Sequence, residues 1–156
     1  MPAADASFPL ALQVGNAPAA RQHHISIRAI GGAFILLDTE FLSDTSAENG
    51  LVAADRLSAA LHITHAELAT ALGLSRDAVS KASRARTKNT QARLRAMVEI
   101  INRVRPWAGS TQAAFAWYRS QPLPSFGDQT AEALLKEGRA DAFRTYLDRI
   151  AVGGYA

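Results

Sequence analysis

The stretch from Thr64 to Ala85, THAELATALGLSRDAVSKASRA, decides the fold, because it reads as two short helices joined by a tight turn. Thr64 and Glu67 have the T-x-x-E spacing of a capping box, in which the threonine hydroxyl accepts an early helical N–H and the glutamate reaches back to the threonine N–H. Leu68, Ala69 and Leu72 put apolar groups on one face of the first helix. Gly73 stands where a left-handed residue ends a helix at least steric cost. Leu74 then turns inward, Ser75 is placed to cap a second helix, and Val79 with Ala82 gives that helix an apolar side. Ala69 lies where the second helix crosses the first, so its small side chain permits a close, steep crossing. The expected unit is a helix-turn-helix.

With Val79 and Ala82 inward, the second helix presents Arg76, Asp77, Ser80, Lys81 and Arg84 outward, with Ser75 at its start. These are the groups expected to read base edges in a major groove. An ordinary helical hairpin with a solvated outer face has the same pattern, and charge separates the two. From Arg76 to Arg105 there are nine Arg or Lys against Asp77 and Glu99, about +7, in a chain whose overall net charge is +3, which leaves about −4 for the rest. Arg84, Arg86 and Lys88 run off the end of the second helix, and Arg93 with Arg95 opens the next one. A local cationic excess beside a helix-turn-helix gains by releasing counterions from phosphates, so duplex DNA is the expected partner.

At 156 residues the chain has room for one compact unit or two small ones, and its many alanines and few aromatics favour helices over sheet. The expectation is an all-α fold in three segments. Residues 1–50 form an N-terminal arm, partly disordered; residues 51–105 hold the helix-turn-helix; residues 106–156 form a smaller helical unit. Residues 1–22, with three prolines and no sustained period, read as a flexible arm. Residues 25–37, ISIRAIGGAFILL, read either as a hairpin turning at Gly31-Gly32 or as an apolar helix weakened by its glycines. Asp44 to Asn49 reads as a polar linker. Leu51 to Leu61 reads as a helix with Leu51, Ala54, Leu57 and Leu61 on one side.

Thr90 to Val104 is the strongest helical pattern, with Leu94, Met97, Val98, Ile101 and Val104 on one stripe and Pro106 expected to end it. Beyond it, Ser110 or Thr111 caps a helix through Trp117 and Tyr118, of which Trp117 is expected in the core and Tyr118 is open. Pro122 and Pro124 break that helix, Thr130 caps another with Glu132 in its first turn, and Gly138 ends it. Asp141 to Val152 comes next, with Phe143, Tyr146, Leu147 and Ile150 on one side. Three helices this short need the preceding helix, a twin or a partner to cover their apolar faces.

Without cysteine, neither a disulfide framework nor a thiolate site is available. His62 and His65 flank a helix start with no third ligand nearby, and His23-His24 lies in the arm, so no metal or other cofactor is expected. The carboxylates are scattered, and there is neither a nucleophile elbow nor a phosphate-binding glycine loop. No catalytic residue is assigned and no enzyme is expected. No apolar run approaches a membrane span and the N-terminus lacks a basic-then-apolar signal, so the expected location is the cytoplasm.

The order Gly109, Ala114, Trp117, Phe126-Gly127-x-x-Thr130, Ala133-Leu134-Leu135, Gly138, Leu147, Ile150 and Gly153-Gly154-Tyr155 resembles the toxin-binding domain of the Xre/ParS/MbcA-type antitoxins. The likeness covers residues 51–156, with Thr130-Ala131 standing where several family members carry Thr-Pro. It implies a type II antitoxin that binds and occludes a RES-domain, NAD-degrading toxin and represses its own operon as a homodimer on operator DNA. The residues it implies for the toxin are Thr130, Arg139, Arg144, Arg149 and the tail Gly153-Gly154-Tyr155-Ala156. That tail reads either as an obstruction for the toxin's pocket or as a helix cap with Tyr155 folded back. The alternative to an antitoxin is a stand-alone repressor or partition-type DNA-binding protein that uses the C-terminal unit to dimerise.

Overall fold

The computed structural model describes residues 25–30 and 33–152, with side chains from residue 40 onward. The arm of residues 1–24 with His23-His24, the Gly31-Gly32 pair and the tail Gly153–Ala156 lie outside the described residues. The described residues are mostly helical. β1 (Ile25–Ile30) and β2 (Ala33–Asp38) pair antiparallel, from Ile25 opposite Asp38 to Ile30 opposite Ala33, which selects the hairpin over the apolar helix.

α1 (Thr39–Thr45) continues directly from β2, so the first residues of the expected polar linker are helical instead. The reason is Phe41: it is buried, its ring lies under the Arg105 guanidinium at 5.1 Å, and buried Thr45 donates its hydroxyl to the Phe41 carbonyl one turn back. The chain then passes through an isolated bridge between Ser46 and Val52. Gln91, buried on the long helix, locks this passage: its Oε1 accepts the Val52 N–H at 2.9 Å, and its Nε2 donates to the Val52 carbonyl at 3.1 Å and the Ala85 carbonyl at 2.8 Å. Because Val52 is extended, α2 (Ala54–Leu61) starts later than the expected Leu51. Ala54, Leu57 and Leu61 are buried on its inner face as their spacing requires.

α3 (His65–Leu72) begins with both halves of the capping box formed and ends at Gly73, φ +65°. α4 (Arg76–Ser80) is capped by the Ser75 hydroxyl, which accepts the Ala78 N–H at 3.2 Å. It is five residues long and then breaks: Lys81 is extended, and α5 (Ala82–Ala85) restarts the chain for a single turn. Val79 is buried, but Ala82 is exposed, contrary to its expected inward position. Beyond Val79 the sequence offers only Ala82 and Ser83 to the core, too little apolar surface to hold a longer helix against it.

α6 (Lys88–Ala108) runs the length of the molecule, capped by Thr87, and buries Leu94, Met97, Val98, Ile101 and Val104 as the stripe predicts. Pro106 does not stop it. A proline near the end of a helix forfeits one backbone bond without blocking the residues after it, and α6 continues to Ala108 before Gly109, φ +90°, closes it. α7 (Thr111–Ser120), a short 3-10 turn (Pro124–Phe126), α8 (Ala131–Lys136) and α9 (Ala140–Ala151) complete the chain, with Ser110 and Thr130 as caps and Gly138 after α8.

One hydrophobic core spans all of this, from Leu57, Leu68, Leu72 and Val79 through Leu94, Met97 and Ile101 to Ala114, Tyr118, Leu134, Phe143 and Leu147. The C-terminal helices are therefore covered by the preceding helix and by the helix-turn-helix itself. At about 1.5 to 3 kcal/mol for each fully buried large aliphatic side chain, this seam dominates the favourable side of folding.

Candidate functional site

The outer side of α4 leads, across the break at Lys81, into a basic segment that reaches the start of α6. Arg76 and Ser80 are exposed on α4; Lys81 and Arg84 are exposed at and beyond its end; Arg86 and Lys88 are exposed on the way into α6. The break at Lys81 splits the single outer face expected from the sequence into a five-residue helix and a basic shoulder. Ser80 donates its hydroxyl back to the Arg76 carbonyl at 2.9 Å, so its oxygen faces outward as an acceptor. Asp77 spans the break: its carboxylate holds Lys81 Nζ at 2.8 Å and reaches Arg84 Nη1 at 3.5 Å. The hydrogen bond and charge of Lys81, with Arg84 behind it, keep the Asp77 carboxyl below the ordinary carboxylate range.

The shoulder leads to the N-terminus of α6. Thr87 caps that helix, its first turn carries no acidic side chain, and the exposed Arg84, Arg86 and Lys88 lie in the chain at or just before its start. The first turn of a helix offers backbone N–H groups and the positive end of the dipole, to which anions are attracted.

Not all of the local charge excess is available to a ligand. Arg103 pairs with Glu99 and Asp148, at 3.2 and 2.6 Å. Arg93, expected among the DNA contacts, is turned inward, and its Nη1 donates to the Leu72 carbonyl at 2.8 Å and the Lys136 carbonyl at 3.4 Å. Its partners are the last carbonyls of two helices far away in sequence, which a charge count cannot see. Of the remaining expected residues, Ser75 serves as the α4 cap, Asp77 is paired with Lys81 and Arg84, and Arg76, Ser80, Arg86 and Lys88 are exposed.

The C-terminal candidates divide in the same way. Thr130 is a helix cap whose hydroxyl accepts the Ala133 N–H at 3.1 Å. Arg144 pairs with Glu99 at 2.6 Å and with Asp141; partial burial opposes its charge, but the two carboxylates outweigh it and hold its pKa above the usual arginine value. Arg139 lies 5.6 Å from the Phe126 ring and donates to Gln129 at 2.9 Å. Arg149 is exposed, and Val152, just past α9, is 70% exposed. The tail residues Gly153, Gly154, Tyr155 and Ala156 lie outside the described residues.

Tyr118, left open by the sequence, is fully buried and donates its hydroxyl to the Ala71 carbonyl at 2.9 Å; burial, with Glu132 nearby, pushes its pKa up. Trp117, expected in the core, is only half-buried, 6.1 Å from the Phe143 ring. Glu132 does more than favour a helix start: it is buried and takes Arg119 at 3.0 Å and Lys136 at 2.5 Å. Its i,i+4 spacing to Lys136 was a signal available in the sequence. His65 pairs with Asp55 at 2.9 Å, and among the described residues no three potential metal ligands come together. None of the helices among the described residues is long and apolar enough to cross a membrane. No protein-family model matches the chain, and neither a curated protein nor a solved structure matches it.

Proposed function

We propose that this chain is an antitoxin that binds duplex operator DNA as a homodimer and a RES-type, NAD-degrading toxin through its C-terminal helices. The observation that supports the DNA half is the run of exposed polar and cationic side chains from α4 through Lys81, Arg84 and Arg86 to Lys88 at the start of α6. Arg76, Ser80 and Lys81 would enter the major groove, while Arg84, Arg86 and Lys88 would take phosphates on either side. The toxin half rests on the resemblance of residues 109–155 to the antitoxin domain, with Arg149 and the end of α9 left open to solvent. The chain itself would do no chemistry. It would silence the toxin by covering its pocket and silence the operon by covering the promoter.

A second reading, a stand-alone repressor, draws support from the continuous core. α7, α8 and α9 are already covered by α6 and α3, so they need no toxin in order to fold. One experiment separates the two readings. The chain is co-expressed with the product of the adjacent gene, and the purified material is assayed for NAD consumption and for retardation of its own promoter fragment. An antitoxin gives a stable complex, suppressed NAD loss and a shifted band; a stand-alone repressor gives the shift alone. Failure of both assays would overturn the proposal.

A further inference from the structure

Arg93 belongs by sequence to the basic stretch, yet its guanidinium joins two helix ends. Leu72 is the last residue of α3 and Lys136 the last of α8, and both carbonyls accept from Arg93 Nη1, at 2.8 and 3.4 Å. Unpaired carbonyls and the negative end of the dipole make a helix C-terminus favourable for a cation, and here a single cation serves two such ends. The turn into α4 starts at the same spot: a Cβ built on Gly73 would lie 3.2 Å from that nitrogen. One residue earlier, the Ala71 carbonyl takes the buried Tyr118 hydroxyl. The last two carbonyls of α3 are thus held by side chains from α6 and α7. α4 itself buries only Val79, so the direction in which it points is governed by this turn.

We propose that Arg93 is a positioning residue for α4 and not a phosphate ligand: it clamps the turn of the helix-turn-helix to the end of α8, making one joint of the DNA-reading helix and the C-terminal unit. This rests on the DNA-binding reading above. The guanidinium is suited to the task because its planar fork directs donors in fixed directions, whereas a lysine ammonium carries the same charge as a mobile point. Arg95, exposed on the same helix, is the contrasting case of a cation directed at solvent.

The test uses the full chain, its own promoter fragment and a scrambled duplex of equal length. Affinity for each is measured over a range of salt for the wild type, Arg93→Lys, Arg93→Gln, Tyr118→Phe and Arg86→Ala. A lost phosphate contact lowers the salt slope by about 1, hence by about 2 for the two copies in a homodimer, and weakens all sequences alike. Arg86→Ala is expected to do that. Arg93→Lys and Arg93→Gln should both leave the slope unchanged and reduce the preference for promoter over scrambled DNA by about tenfold, the order of one lost base contact. Tyr118→Phe, which changes no charge, should move the preference in the same direction, and it carries the test if the Arg93 variants do not fold.

Wild-type preference in Arg93→Lys, or a slope lowered by about 2 per homodimer with preference intact in Arg93→Gln, would overturn the proposal. If the wild type binds neither duplex, the DNA-binding reading has failed but the joint can still be tested. The Gly73 and Leu74 amides, which donate to the Thr70 and Ala69 carbonyls, should exchange hydrogen faster in Arg93→Lys than in the wild type, and unchanged exchange there would overturn it.

Discussion

A methyl group added at Gly73 would stand 2.8 Å from Cγ of Lys136, although 63 residues separate the two positions. Gly73 also holds φ at +65°, where a side chain costs on the order of 1 kcal/mol. Gly73→Ala therefore combines backbone strain with displacement of the α8 terminus. It should lower stability by about 1 to 3 kcal/mol in urea titration. A variant as stable as the wild type would mean that α8 is free to move away from the turn.

Met97 and Ile101 are fully buried on α6, between the helix-turn-helix and the C-terminal helices. Met97→Ala or Ile101→Ala should cost about 2 to 5 kcal/mol, and both halves should unfold in one transition because they share the core. Two separate transitions in calorimetry would refute the shared seam.

On the DNA-binding reading, the exposed cations of the shoulder should set the salt response. If each dimer neutralises about six phosphates, log affinity should fall with log salt at a slope of about −5, with half-sites one helical turn or a multiple apart. Arg86→Ala or Lys88→Ala should weaken promoter and random DNA alike. Ser80→Ala or Lys81→Ala should instead relax discrimination at particular base pairs, by about 1 to 3 kcal/mol each. Gel shifts at three salt concentrations with mutated promoter fragments distinguish these patterns, and an affinity indifferent to salt would count against them all.

Acid should loosen the start of α3. The Glu67 carboxylate accepts from the Thr64 N–H at 2.7 Å and from its hydroxyl at 2.9 Å, which holds its pKa below the ordinary glutamate value. A carboxyl lowered on folding contributes stability above its unfolded pKa, about 4.3, and loses that contribution as pH falls through the folded value. The stability difference between wild type and Glu67→Gln should thus be constant from pH 7 to about pH 5 and shrink below that. A constant difference down to about pH 2 would show that ionisation of Glu67 is irrelevant to the cap.

What could be read in advance was what the chain decides locally. The Thr64–Glu67 box, the Gly73 stop, the Ser75 cap and the α6 stripe each depend on residues within a few turns of one another, and all are present. Features set by distant partners were not legible in the same way. Arg93 looked like a surface cation because Leu72 and Lys136 lie 21 and 43 residues away. α1 was concealed because Phe41 finds its cover on α6, and α4 looked longer than it is because an alanine spacing does not reveal whether a core waits to receive it.

The carboxylate of Asp77 already engages two cations of the shoulder, Lys81 at 2.8 Å and Arg84 at 3.5 Å. On the DNA-binding reading it would act as a decoy carried on the protein. A polyanion that merely supplies charge must displace it without recompense elsewhere, whereas a duplex whose base edges also suit Arg76 and Ser80 offsets that displacement with contacts a featureless anion lacks. A single acidic residue in a basic shoulder thus raises the threshold for indiscriminate binding, and Asp77→Asn should tighten attachment to any nucleic acid while blurring the choice among sequences.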